Sequence, residues 1–203
     1  MPTIDFEAVD KPNFVRPELL RHHTIPKPLF GTTPRYIKGQ EWWDETRRAA
    51  YIANNMRCWA CGGPGPLEAH EAYEIDYDHA RMTYIETVSL CNDCHSFIHI
   101  GRTMGFFARG AISHGKAKQI VLKGYRLLRD AGLRCTWEVG VIASPTLPWK
   151  PPRDWIQEVL RNTDLKPTVP MHDWNDWRLV LDGVEYPPRY KSFDEFSKTL
   201  TLY

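Results

Sequence analysis

The 203-residue sequence predicts an α+β fold whose strand–strand–helix core is stapled by cysteines and flanked by helical and irregular extensions. Two observations predict this core. Two Cys-x2-Cys pairs enclose two runs of strand-like residues, and two histidines at helical spacing follow the second pair. The cysteines are Cys58, Cys61, Cys91 and Cys94, and the histidines are His95 and His99. The chain is long enough to bury one core but short for two domains.

Residues 1–39 precede this core and contain six prolines with little hydrophobic periodicity. Proline fixes φ and removes a backbone donor, so the segment is predicted to be an extended, proline-rich arm. Its basic side chains would allow it to lie along a ligand, but wrapping around the core is the simpler interpretation.

Residues 40–135 are the predicted central domain, in which the cysteine-stapled unit has a helix on either side. Interleaved apolar and charged residues predict an amphipathic helix over residues 40–55, and the glycines and prolines of residues 62–66 predict a turn. The remaining elements are strands over residues 67–73 and 83–90, a helix over residues 94–100 closed by Gly101, and a helix over residues 113–131 capped by Gly132.

Residues 136–203 are predicted to be a C-terminal extension with a hairpin and a short final helix. A further short helix is predicted around residues 153–161. Asp182-Gly183 fits the turn of a hairpin over residues 178–186, because a type I′ turn needs positive φ at both positions. Ser192 and Glu195 form the capping-box pattern that opens the final helix.

The charge is unevenly distributed, although the formal net charge of the chain is only +1. Residues 65–95 carry seven acidic side chains and one arginine, whereas residues 101–134 carry eight Lys or Arg and one Asp. An acidic stretch beside a basic one suits a metal-dependent enzyme that acts on a polyanion, but a solvated helix face has the same composition. The candidate phosphate contacts are Arg102, Lys116, Lys118 and Lys123.

The composition also predicts the cellular compartment of the protein. No run approaches the ~18 apolar residues of a membrane span, and the first residues lack the basic and apolar regions of a secretory signal. Four of the five cysteines fall in Cys-x2-Cys pairs, which in a reducing compartment indicates metal binding rather than disulfides. The expectation is an intracellular, cytoplasmic protein with no membrane partner.

The four paired cysteines predict a structural zinc site. Four thiolates at this spacing complete a tetrahedral shell and leave nothing over for catalysis. The 29 residues between the pairs leave room for a hairpin. A small strand–strand–helix unit has little core of its own, so metal binding would supply folding free energy.

Three histidines predict a second metal site of different character. His95 and His99 are four residues apart on the predicted helix and point the same way, and His70 lies near the end of the first strand. Three imidazoles can therefore converge on one divalent ion. The two ligand sets suggest one site that holds the fold and one that carries out chemistry, although all seven residues could bind structural zinc.

The combined pattern resembles the HNH (ββα-metal) endonucleases in their zinc-stapled, four-cysteine form. The resemblance covers about residues 56–101: Cys-x2-Cys, then Leu67-Glu-Ala-His70-Glu71, then Leu90-Cys-x2-Cys-His95-x3-His99. It implies hydrolysis of phosphodiester bonds in DNA, with a divalent cation (Mg²⁺, Mn²⁺, Ni²⁺ or Zn²⁺) on the scissile phosphate and a base that activates water. By position, the cation ligands are His70, His95 and His99. Glu71 takes the base position, and Glu86 takes the position of the residue that orients the base.

Two positions depart from the family pattern, because Glu71 replaces the usual histidine and Glu86 the usual asparagine. A carboxylate of reference pKa about 4.3 is a weak base at neutral pH unless burial raises its pKa. Alternatively, His70 is the base and Glu71 or Glu68 helps to hold the ion, since a bulge can turn either residue of the strand inward.

Two functions from different classes follow from this pattern. The first is a metal-dependent HNH-type endonuclease with duplex DNA as its expected partner. The second is a catalytically inactive zinc module of HNH type that binds nucleic acid or a protein, which the two departures favour. The target sequence, the biological role and the oligomeric state are not predicted.

Overall fold

The computed structural model describes residues 14–21, 25–133 and 172–200. Within these ranges the fold is α+β, with one four-stranded sheet and six α-helices. The strands are β1 (Leu67–Asp76), β2 (Arg81–Cys91), β3 (Arg178–Leu181) and β4 (Val184–Tyr186). The helices are α1 (Pro34–Lys38), α2 (Gln40–Ala53), α3 (Asn92–Ile98), α4 (Ile100–Ala108), α5 (His114–Asp130) and α6 (Phe193–Leu200). None of these helices combines the length and the apolar character that a membrane span needs.

Strands β1 and β2 form a long antiparallel hairpin between the cysteine pairs, and both extend beyond their predicted bounds. The pairing is regular from Leu67 to Ala72 and then shifts by one residue, because β2 contributes Ile85 as an extra residue. The bulge lies beyond His70 and Glu71. These neighbours therefore keep the normal alternation of a strand and face opposite sides of the sheet.

Helices α2 and α3 pack on opposite faces of this hairpin. On the α2 face, Trp42 lies edge-on to Tyr84 of β2, with ring centroids 5.9 Å apart. On the α3 face, Val88 and Leu90 of β2 are fully buried in one cluster with Phe97 of α3. One face of the hairpin thus packs against α2, the amphipathic helix predicted over residues 40–55. The other face packs against α3, which begins within the second cysteine pair.

Helix α3 ends at Ile98, and α4 follows it immediately. The prediction that Gly101 closes this helix is wrong, because the break is at His99, whose ψ of 47° is not helical, and Gly101 lies inside α4. The buried Thr103 stabilises the continuation, since its hydroxyl donates to the Ser96 carbonyl at 2.7 Å. Tertiary packing therefore overrides the local preference of glycine for a helix end.

Helix α5 packs on α3 and matches the helix predicted over residues 113–131. The hydroxyl of Ser113 accepts a hydrogen bond from the first turn, and Gly132 follows the last turn with φ 68°. Gly124 faces the ring of Phe97, where an added Cβ atom would lie 2.1 Å from a ring carbon. The missing side chain at Gly124 therefore allows α5 to approach the helix that carries His95.

The predicted C-terminal hairpin is confirmed as β3–β4, and it joins the same sheet. Asp182 and Gly183 have φ 52° and 76°, as a type I′ turn requires. Strand β3 pairs in parallel with β2, with residues 178–180 opposite 81–83. The Ser192 hydroxyl accepts from the Glu195 N–H at 3.3 Å at the start of α6. The helix predicted around residues 153–161 lies outside the described residues.

The described part of the N-terminal arm is packed rather than extended. It forms 3₁₀ turns at Pro17–Leu20 and Lys27–Leu29 and then α1, and each of these has proline in its first turn. Leu20 and Leu29 are fully buried. The prolines therefore start short helical turns, and the leucines between them anchor the arm around the core.

Candidate metal centres

The four cysteines of the two pairs converge on one point. Their Sγ atoms all lie within 4.8 Å of one another, and none of the four forms a disulfide. The Sγ atoms of Cys61 and Cys91 are 3.8 Å apart. A tetrahedral zinc ion with bonds of about 2.3 Å holds its sulfurs about 3.8 Å apart. The cluster therefore indicates a structural metal ion such as zinc.

Backbone hydrogen bonds position the first cysteine pair. Gly62 has φ 68°, and its N–H donates to the Cys58 carbonyl at 2.8 Å, which closes the turn around the pair. The N–H of Trp59 donates to the Ser89 carbonyl at 2.7 Å, and its indole N–H donates to the Ala50 carbonyl at 2.9 Å. These bonds fix the pair to β2 and α2, so that it faces the second pair.

Lys123 of α5 places its ammonium group against the thiolates. Its Nζ atom lies 3.2 Å from Cys91 Sγ and 3.9 Å from a carboxylate oxygen of Asp93. Partial burial lowers the pKa of Lys123, but the nearby thiolates outweigh this effect and hold the pKa above its usual value. The pKa of Cys91 is lowered, chiefly by its hydrogen bonds with the neighbouring thiols, that of Cys58 first. Lys123 therefore offsets part of the negative charge of the cluster.

The three predicted histidines form a second cluster on the α3 face of the hairpin. One ring nitrogen of each of His70, His95 and His99 lies within 4.8 Å of the others, and the ring centroids are between 4.7 and 5.3 Å apart. His70 and His95 are buried, and His99 is half-buried. A divalent ion with bonds of about 2.1 Å holds its nitrogens about 3.4 Å apart, so small ring rotations would bring the three imidazoles onto one ion.

Glu68 orients His95. The Nδ1–H group of His95 donates to the Glu68 carboxylate, whose other oxygen accepts from the Asn92 side chain at 2.9 Å. Burial lowers the pKa of His95 and favours the neutral ring that a metal ligand needs, although Glu68 opposes this effect. Because Nδ1 is engaged, Nε2 is the nitrogen of His95 left for an ion, which is the usual arrangement behind a metal-bound imidazole.

Arg102, predicted to contact phosphate, lies beside this cluster on the first turn of α4 and is exposed. Partial burial raises the pKa of Glu68, but the bonds from Asn92 and His95 and the positive charge of Arg102 bring it below its usual value. The same charge adds to the larger effect of burial in lowering the pKa of His95. The charge of Arg102 therefore acts on Glu68 and on His95.

Glu71 and Glu86 are not brought to the imidazoles. Glu71 lies on the α2 face, where its carboxylate accepts from the Tyr73 hydroxyl and from a backbone N–H of α1. Burial raises the pKa of Glu71, as a base requires, but the regular strand turns its carboxylate away from His70. Glu86 instead forms an ion pair of 2.7 Å with Arg16 of the arm.

The three lysines predicted to bind nucleic acid lie on α5 and differ in their surroundings. Lys116 and Lys123 both contact Asp93, and the Lys116 contact is 2.6 Å. Lys118 is exposed to solvent. The structure therefore pairs Lys116 and Lys123 with Asp93, places Lys123 against Cys91 as well, and leaves Lys118 exposed.

Comparisons with protein-family models, curated proteins and solved structures return no significant match. A functional interpretation therefore depends on the chemistry of the two clusters. Four thiolates fill a tetrahedral shell, whereas three imidazoles leave a position of a bound ion open to water or substrate. The imidazole cluster is the candidate active site for this reason.

The sequence pattern does not predict the supporting roles of Asn92 and Lys123. A signal for Glu68 is present, because it precedes His70 by two residues and therefore shares its face of β1. Asn92 has no such signal beyond its place inside a cysteine pair. The contact between Lys123 and Cys91 depends on the packing of α5 against α3, which residue spacing does not encode.

Proposed function

We propose that the chain is a metal-dependent endonuclease of the HNH type that hydrolyses phosphodiester bonds in DNA. The observation that carries this proposal is the convergence of His70, His95 and His99 within 4.8 Å. One imidazole comes from β1, one from α3, and one from His99, the residue that directly follows α3. A scaffold needs the cysteines alone, so the three additional imidazoles support a catalytic use of the unit.

The ligand set favours a transition metal over Mg²⁺. Neutral imidazoles prefer ions such as Zn²⁺ and Ni²⁺, whereas Mg²⁺ prefers carboxylate and water oxygens. When bound, the ion would polarise the scissile phosphate and stabilise the leaving oxygen. His70, His95 and His99 would hold it, and Glu68 would keep the His95 ring in place.

Arg102 would bind the phosphate group on the solvent side of the imidazoles. A guanidinium group makes charge-assisted, often paired hydrogen bonds to phosphate oxygens. Such a contact positions the strand without reading its base sequence. Glu71 and Glu86 take structural roles in this proposal, since their carboxylates bond to Tyr73 and to Arg16.

A catalytically inactive zinc module that binds nucleic acid or a protein is the second candidate function. The observation that favours it is the orientation of Glu71, which occupies the family's base position but faces away from His70. In such a module the imidazoles would still take up an ion, but the ion would stabilise the fold.

Nicking of supercoiled plasmid tests the proposal. The purified chain is incubated with Ni²⁺, Zn²⁺, Mn²⁺ or Mg²⁺, beside the variants His70→Ala and Glu71→Gln. We expect nicking with the transition metals, a loss of about 100-fold or more in His70→Ala, and retention of most activity in Glu71→Gln. The two variants form a matched pair, because they change adjacent residues that face opposite sides of β1.

Two results would change this conclusion. If Glu71→Gln loses as much activity as His70→Ala, Glu71 is the base and the strand must rearrange when DNA binds. If the folded wild-type chain cleaves neither duplex nor single-stranded DNA with any of these ions, the binding module replaces the nuclease.

A further inference from the structure

Helix α4 and the residue that directly follows it present a row of two arginines and one phenylalanine to solvent. Arg102, Phe106 and Arg109 are four and three residues apart, so they lie along one side of the helix. All three are exposed, and Phe106 has 39% of its surface accessible. The Arg109 guanidinium carbon lies 5.4 Å from the centre of the Phe106 ring. On the other side of α4, Ile100 and Thr103 are buried, so the row is not part of the core.

The row begins at the imidazole cluster. His99 is the residue that precedes the first turn of α4, and Arg102 lies within that turn. A polymer bound along the row would therefore lead directly to the three imidazoles.

Two glycines leave the backbone of α4 open next to the row. An added Cβ atom would meet nothing within 4 Å at Gly101, and at Gly105 it would meet only the guanidinium group of Arg109, at 3.4 Å. Glycine within a helix is less stable than alanine, so these positions carry a cost in helix stability. They also allow another backbone to approach the helix closely.

The chemistry of the row suits a polyanion that also carries flat, apolar groups. Arginine binds phosphate oxygens, and an exposed aromatic ring stacks on a nucleobase that is not paired within a duplex. The neighbouring helix α5 contributes less to such a surface, because Lys116 and Lys123 are engaged with Asp93. A nucleic-acid strand with unpaired bases is such a ligand, because it carries both phosphate groups and exposed flat bases.

We propose that the Arg102–Phe106–Arg109 row binds a nucleic-acid strand through its phosphates and through stacking of one unpaired base on Phe106. This inference rests on the proposed nuclease function and names its substrate class: a strand that is single-stranded next to the cleavage point. Phe106 and Arg109 are substrate-positioning residues in this account, because they contact the strand away from the reacting phosphate.

Fluorescence anisotropy with three labelled probes tests this assignment without any need for cleavage. The probes are an oligothymidylate, an abasic strand of the same length and a duplex, each mixed with the chain in buffer without added divalent ions. We expect Phe106→Ala to weaken oligothymidylate binding roughly tenfold and to leave abasic-strand binding unchanged. Arg109→Gln should weaken the binding of both single strands, because it removes a phosphate contact.

Matched controls separate this surface from other exposed groups. Phe193 is also exposed, but it packs with Trp174 and Phe196, and Arg48 is an exposed arginine on α2. We expect Phe193→Ala and Arg48→Gln to bind all three probes as the wild type does. Gly105→Ala should raise the melting temperature and yet weaken oligothymidylate binding, which a purely structural role of Gly105 would not produce.

The outcomes distinguish this inference from the proposed function. If the wild type nicks plasmid but Phe106→Ala binds oligothymidylate normally, the row is not the substrate surface and the nuclease proposal stands. Equal losses of Phe106→Ala on the oligothymidylate and the abasic strand would exclude base stacking. If the wild type binds none of the probes, the row has another partner and the inference fails, while plasmid nicking still decides the nuclease function.

Discussion

At the scale of single residues, the two clusters differ in the charge they would carry. Four thiolates around a divalent ion have a net negative charge, whereas three neutral imidazoles leave the charge of the ion uncompensated. The surroundings match this difference. Lys123 lies 3.2 Å from Cys91 at the thiolates, and Glu68 bonds to His95 at the imidazoles. Each centre therefore has a neighbour of opposite charge.

Replacement of Lys123 tests this electrostatic account of the cysteine cluster. Lys123→Met keeps an unbranched side chain as far as Cε and removes the ammonium group that donates to Cys91. We expect the metal to dissociate from the thiolates roughly tenfold faster, since partners of metal ligands contribute about 10–100-fold to metal retention. The rate is measured with a chromophoric chelator that reports released zinc.

Lys118→Met is the matched control for this measurement, because Lys118 lies on the same helix and is exposed. It should release zinc at the wild-type rate. Equal rates in all three proteins would mean that the contact between Lys123 and Cys91 has no effect on the bound metal.

The sequence predicts the ligands better than it predicts their neighbours. Cys-x2-Cys pairs and an i, i+4 histidine pair are local patterns, so their geometry follows from the turn that holds the cysteines and from α3, which carries His95 and ends just before His99. The side that Glu71 faces depends on where the bulge falls in β2, and residues 67–91 do not reveal that position. The base position was therefore predicted from resemblance, and the structure turns it away from the imidazoles.

At the scale of elements, the contact between α3 and α5 fixes the helix that carries His95 and leads into His99. Gly124 of α5 lies against the ring of Phe97, which is fully buried between His95 and His99 in the sequence. The ring leaves no room for a side chain at position 124. The close approach of the two helices also brings Lys123 to Cys91.

Gly124→Ala is expected to destabilise the chain by about 1–3 kcal/mol, because its Cβ atom would lie 2.1 Å from the Phe97 ring and force the helices apart. The free energy of unfolding is measured by urea denaturation. Gly115→Ala is the matched control, since its Cβ atom would meet only the Ser113 hydroxyl, at 3.9 Å, in the first turn of the same helix. Equal stabilities of the two variants would contradict the packing described here.

The sequence predicts a helix or a hairpin where its apolar residues recur periodically or where its residues fit one turn type. Helices α2 and α5 and the type I′ hairpin at Asp182-Gly183 were predicted from such patterns and are confirmed. The break at His99 was not predicted, because it depends on the burial of Ile100 and Thr103 rather than on Gly101. Boundaries set by tertiary packing leave little trace in local sequence.

At the scale of the whole molecule, segments distant in sequence enclose the cysteine-stapled hairpin. Phe14 packs edge-on against Trp59, at 4.9 Å between ring centroids, and Arg16 forms an ion pair with Glu86 of β2. Strand β3 pairs with the other end of β2. The sequence could not predict these contacts, because a parallel pairing and a packed arm need partners that no local pattern specifies.

These contacts describe a chain organised around two centres, one of four thiolates and one of three imidazoles. The arm and the C-terminal hairpin both contact β2. Strand β2 ends at Cys91, and α3, which carries His95, begins at the next residue. We propose that the two centres bind metal separately, the first to hold the fold and the second to act on a substrate.

Native mass spectrometry of the metal-loaded chain tests this claim most directly. It counts the ions bound to the wild type, to His99→Ala and to a Cys94→Ser variant. We predict two ions per chain in the wild type and one in His99→Ala, with that chain still folded because its thiolates keep their metal. We also predict that Cys94→Ser loses its fold together with its metal. A single ion in the wild type, or two ions retained in His99→Ala, would contradict the account.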